Sequence, residues 1–198
     1  MISISFIHSS RTIVLLFLLT FLTFHFALST SQSLNRSNNN MSIKPMFLKP
    51  ARVIALVTDE FHPINQCVHD WLIYKGYKIN LFGSFLTKKD ESWVHATTEA
   101  AHSIASGLSD EGIFFCWSGT GSCMAANKVK GIKAALCTDT ETVKLARVWN
   151  HANVLVLSNR LLTPEVADSM LLAWFDRSLD VAEGVADVNE LKALENDK

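Results

Sequence analysis

From Arg52 to about Arg177 the chain alternates short, unbroken apolar runs with longer amphipathic ones, and few folds can accept that pattern. Arg52–Thr58 reads RVIALVT, a continuous apolar run of the kind a strand needs when both faces of its sheet are covered. Ile64–Tyr74 then places apolar residues at 64, 67, 68, 71 and 72, a helical stripe, with Gly76 as its stop signal. Tyr77–Phe82 is a second strand, Ser92–Ser106 a helix and Gly112–Cys116 a third strand. Gly121–Val129 is a helix and Gly131–Cys137 a fourth strand. Asp139 or Thr138 caps the next helix, Asn153–Leu157 is a fifth strand, and Thr163-Pro164 opens a last helix.

Five strands alternating with helices predict a five-stranded parallel sheet in a Rossmann-like three-layer α/β/α sandwich. Ligands in such sheets lie beyond the carboxyl ends of the strands. The loops after strands one, three and four (Thr58–His62, Cys116–Gly121 and Cys137–Thr140) are therefore expected to matter most. The domain is expected to span 51–178. An acidic C-terminal tail from 179 to 198 receives no catalytic role, and residues 1–50 stand apart from the domain.

Within those fifty residues, Thr12–Leu28 (TIVLLFLLTFLTFHFAL) follows Arg11 and precedes small polar residues, as in a secretory signal. A signal anchor, an organellar transit peptide, or translation starting at Met41 or Met46 also fits the composition. In the last case the catalytic domain would be cytoplasmic. In the others the segment would carry it to a membrane, the secretory pathway or an organelle. Asn35-Arg-Ser and Asn40-Met-Ser are glycosylation sequons that matter only on a secretory route. A net charge of −1 gives no basic field for nucleic acid. The four cysteines (67, 116, 123 and 137) have no zinc-type spacing, and three of them, Cys67, Cys123 and Cys137, are expected to be packing residues.

Cys116 is the exception, because it ends a strand and enters the turn Trp117-Ser-Gly-Thr-Gly121. Gly119 and Gly121 can take positive φ and let backbone approach a ligand. The amides of residues 117–122 open a helix N-terminus, which binds anions and favours a thiolate. A thiolate beside such a nest can remove a proton next to a carbonyl while the nest holds the enediolate. That is aldose–ketose isomerisation, which needs no metal or cofactor. A dinucleotide fingerprint is absent, since Met124 stands where a third glycine would be.

The stretch C-x-S-G-T-G-S-C-M-A-A-N-K-V-K-G-I-K-A-A-L-C, from Cys116 to Cys137, and N-x-A-N-V-L from Asn150 resemble the ribose-5-phosphate isomerase B and galactose-6-phosphate isomerase family. The resemblance covers about residues 52–177. It implies that Cys116 is the base, that Ser118 is the assisting hydroxyl and that the turn amides at Gly119 and Gly121 hold the enediolate. It also implies Asp59 on sugar hydroxyls, Asn150 in the substrate pocket, Arg160 on phosphate, and dimers or tetramers of dimers with sites built from two subunits. Trp117, Thr120, Asn127, Glu60 and Trp149 complete the candidate substrate-binding set.

Several positions depart from the family pattern. Glu60 replaces a histidine, Trp149 replaces the ring-opening histidine, and Trp117 replaces a glycine. Arg177 is the last arginine, where the family carries two more that grip phosphate. Glu60 would repel an anionic substrate end, and the tryptophans offer flat faces for a sugar ring. These changes suggest a substrate other than ribose 5-phosphate, unphosphorylated or differently phosphorylated. His151, beside Asn150, is a candidate substitute for the lost histidine, and His62 and His95 are expected to be surface or capping residues. The alternative to an isomerase is a non-catalytic sugar-binding or regulatory relative. The complete set of thiol, hydroxyl and glycines favours catalysis.

Overall fold

The computed structural model describes residues 51–195. The hydrophobic N-terminal run and both sequons lie outside the described residues. Among the described residues no helix is long and apolar enough to cross a membrane.

The elements are β1 (Val53–Thr58), α1 (Pro63–Tyr74), β2 (Lys78–Gly83), α2 (Ser84–Thr87), α3 (Trp93–Ala105), β3 (Glu111–Cys116) and α4 (Thr120–Ala126). There follow β4 (Ala134–Leu136), α5 (Thr140–Val148), β5 (Val154–Ser158), α6 (Pro164–Trp174) and α7 (Val185–Ala193). All strand pairs are parallel, in the order β2-β1-β3-β5-β4. The three-layer α/β sandwich expected from the alternation is what the chain forms.

Strand alternation sorts the two cores. Ile54, Leu56, Ile113, Phe115, Leu155 and Leu157 face α1, α5 and α6, where they meet Val68, Val143 and Trp174. Ala55, Val57, Phe114, Val154 and Val156 face α3 and α4. There Ala96, Ala100 and Ala101 keep the side chains of α3 small. Every residue of β3 and β5 is buried, which explains their unbroken apolar sequence. Each fully buried Leu, Ile or Phe contributes about 1.5–3 kcal/mol.

Helix starts follow the capping residues. Asp139 Oδ1 accepts the Thr142 N–H at 2.8 Å, and the Ser92 and Thr163 hydroxyls cap α3 and α6. Two elements are shorter than their sequence suggests. The α4 helix ends at Ala126, and β4 begins only at Ala134. Between them Val129 and Ile132 close successive tight turns onto the carbonyls of Ala126 and Val129, and Gly131 takes φ +84°. The run Gly131–Lys133 is thus spent on a turn.

One expectation about loops is corrected. β5, not β4, lies against β3, with Cys116 level with Ser158. The segment after β5 therefore neighbours the Cys116 turn, while the loop after β4 sits at the sheet edge. The acidic C-terminal segment forms α7, whose Val188 is buried, and Glu195 Oε1 accepts the Gly131 N–H at 3.1 Å.

Candidate active site

Alternation along the strands brings the first two site residues together. Ala55 and Val57 of β1 and Phe114 of β3 face the α3/α4 layer, so two residues further on Asp59 and Cys116 face it too. Both line a cleft of roughly 300 Å³ with Trp93, Trp117, Ser118, Thr120, Gly121 and Met124.

Cys116 is 5 % exposed, and the Gly119 N–H donates to its Sγ at 3.2 Å. Gly119 makes this bond with φ +79°. A Cβ there would stand 2.4 Å from Leu136 Cδ1 and 3.3 Å from Leu157 O. The leucine side chain can move but the strand carbonyl cannot. Gly119→Ala is therefore expected to cost about 1–2 kcal/mol from backbone strain and to pull the amide off the sulfur, with turnover falling at least tenfold. Urea melts and a steady-state assay check both. Gly121 differs from its expectation: it lies inside α4 without positive φ. Its role is space, because a Cβ would meet the Trp93 ring at 3.0 Å.

The Ser118 and Thr120 hydroxyls are 2.7 Å apart on the rim. The turn after Cys116 is held from the end of β5 and the residues that follow it. The Ser158 hydroxyl and the Arg160 N–H both donate to Trp117 O, at 2.8 and 3.1 Å, and the Asn159 N–H donates to Cys116 O at 3.0 Å. Trp117 keeps its side chain 53 % exposed over the cleft.

Burial pushes the Asp59 carboxyl above its ordinary value, and the Glu60 charge adds to this. Its own amide, the Glu60 amide and His62 work against the shift. A raised carboxyl favours folding while protonated, and that contribution is lost as pH rises through the folded-state value. Ionising Asp59 therefore carries a cost in the folded state. Asp59→Asn keeps the acceptor for the Glu60 N–H, now at 3.0 Å. It is expected to raise the melting temperature at pH 7 and lower kcat/KM. The stability gain should shrink as pH falls through the raised folded-state value and be gone below the ordinary aspartate range.

Other candidates sit elsewhere. The Glu60 side chain is half exposed and turns to His62 Nε2 at 3.5 Å, outside the cleft, so its repulsion of a substrate loses its geometry. Asn127 ties β4 instead of facing the cleft. Its side chain accepts from the Ala134 N–H at 2.9 Å and donates to Ala134 O at 2.8 Å, occupying the open side of the edge strand. Trp149 ends α5, and Asn150 lines a separate cavity of about 610 Å³ beside β4 and α7. Arg160 is exposed next to Trp117 but does not line the cleft. The His151 Nε2 donates to Val181 O at 2.7 Å and pins the C-terminal segment.

Some contributors are not apparent from sequence. Trp93, the first residue of α3, forms a wall of the cleft; its position just after the Ser92 cap was the available signal. Asn159 and Asn65, both buried, bond to each other at 2.7 Å, and Asn159 also donates to Thr58 Oγ1 at 3.3 Å. They clamp the loops after β1 and β5 together. Nothing in the periodicity marks either residue.

All four thiols are free. Burial pushes the Cys137 thiol up to about 12 and raises Cys123 as well, as packing residues behave. Cys67, however, is exposed on α1 and does not pack. Among the described residues no group of three His, Cys, Asp or Glu side chains is placed to hold a metal ion.

This geometry has known counterparts. The chain is 33 % identical over 117 residues to a D-erythrulose-4-phosphate isomerase from Pectobacterium atrosepticum, covering 59 % of this chain and 77 % of that one. It is 31 % identical over 151 residues to a galactose-6-phosphate isomerase subunit from Clostridium acetobutylicum, covering 74 % and 86 %. The ribose-5-phosphate isomerase B structure from Clostridium thermocellum superposes with a TM-score of 0.68 at 27 % identity, over 73 % of this chain and 98 % of that one. Residues 54–191 match the ribose/galactose isomerase family, and this chain belongs to that family.

Proposed function

We propose that this protein interconverts the aldose and ketose forms of a small sugar phosphate, with Cys116 as the base. The observation that carries the reading is the buried Cys116 Sγ at the cleft wall, receiving the Gly119 N–H at 3.2 Å and flanked by Asp59 and two hydroxyls. Cys116 takes the proton from the carbon beside the carbonyl. The first-turn amides of α4 face the charge that develops on the oxygens. The Ser118–Thr120 hydroxyl pair moves a proton between those two oxygens, and Asp59 accepts from sugar hydroxyls. Trp93 and Trp117 offer ring faces to the carbon chain.

Trp149 and Asn150 stand apart from this cleft in their own subunit. In the proposed active form a second copy brings them to it, so each site in the dimer draws on two chains. The relatives named above act on four-, five- and six-carbon sugar phosphates by name. A panel of such sugars, with and without phosphate, identifies the substrate. Loss of activity toward every member would overturn the isomerase reading.

A further inference from the structure

A phosphate ester carries close to two negative charges, yet the Cys116 cleft is lined by one carboxylate and by no cation. A cavity with two lysines lies one loop away. It measures about 230 Å³ and is lined by Phe61, Ser84, Lys88, Lys89 and Asp90. We propose that this cavity is a phosphate-binding subsite in which Lys88 and Lys89 hold a phosphate monoester group. The proposal rests on the sugar-phosphate reading for its substrate and on the cavity's own charge for its anion.

Three observations carry it. First, the cavity shares a wall with the Cys116 cleft. The Ser84 hydroxyl faces Asp59 O and Lys89 O, and the Glu91 N–H donates to Asp59 O at 2.8 Å. Asp59 itself lines the Cys116 cleft. Second, among the described residues neither lysine forms an ion pair, whereas Arg52, Lys144 and Arg147 do. Asp90 offsets part of their charge and leaves the cavity one positive charge in excess. Third, the turn holds the two lysines in a fixed order. Lys88 takes φ +60°, a conformation uncommon outside glycine, with its N–H on Ser84 O at 3.1 Å. Phe61, in edge contact with Phe85 at 5.5 Å, closes the side toward the β1 loop.

The test uses inorganic phosphate as probe, read by ³¹P line broadening on the whole protein, and needs no turnover. Lys88→Gln with Lys89→Gln is expected to weaken phosphate binding about three- to tenfold, as two exposed charge contacts warrant. Asp90→Asn is expected to tighten it by a factor of about two to five. Both effects should fade in high salt. A KM that rises for sugar phosphates alone, at unchanged kcat, assigns the site to the substrate's own phosphate. A KM that stays constant while phosphate affinity falls assigns it to a separate phosphate ester. Phosphate affinity equal in wild type and in both variants would overturn the subsite. Failure of the isomerase reading shows instead as absent turnover with phosphate binding intact.

Discussion

Replacing Cys116 by serine is expected to lower turnover about a thousandfold, within the range of a lost general base, while leaving stability nearly unchanged. The substitution keeps an acceptor for the Gly119 N–H and removes one sulfur from a site that is 5 % exposed. A base role and a packing role thus separate cleanly. If Cys116 only filled space, serine would shift the urea midpoint and leave kcat alone. Cys123 and Cys137 give the control, since burial raises both thiols and neither lines the cleft. Serine at those positions should affect stability rather than rate.

The second large effect lies at the other end of β3. Glu111 begins that strand with its side chain 3 % exposed. It pairs with Arg52 and stands 3.4 Å from Arg147. Arg147 in turn lies over the Trp174 ring, 4.5 Å from its centroid, and donates to Ala152 O at 2.7 Å. Removing one member of a buried ion pair leaves the others uncompensated, at about 3–5 kcal/mol. Glu111→Ala should therefore lower the melting temperature by roughly 10 °C for a domain of this size. Glu111→Gln keeps the shape without the charge and should fall between. Because the cluster sits at the amino ends of the strands, kcat of the folded variant should match wild type. Midpoints within 1 kcal/mol of wild type for both variants would show that the cluster is not a structural anchor.

The β/α alternation was legible because apolar runs of strand length and helical stripes carry their own period. The Cys116 turn was legible as a turn because spaced glycines follow a strand end, and Gly119 takes the positive φ that this spacing suggests. Strand order was not. The insertion of β5 between β3 and β4 depends on how the crossover helices pack, and sequence places no mark on it. Asn159, which joins the segment after β5 to Thr58, therefore carries no mark in the sequence. Asn127 shows a related limit. An asparagine close to a reactive turn reads as a ligand contact, yet here its amide replaces the missing neighbour of an edge strand. Asn150 belongs to a stretch that resembles the family, but spacing along the chain does not show that Asn150 and Trp149 lie outside the Cys116 cleft of their own chain.

Solvent exchange reaches the base directly. Wild-type protein in D2O with its substrate should yield isomer carrying deuterium at the carbon next to the carbonyl, and Cys116→Ser should abolish both exchange and isomerisation. Isomerisation or exchange that persists at the wild-type rate in Cys116→Ser would contradict Cys116 as the base.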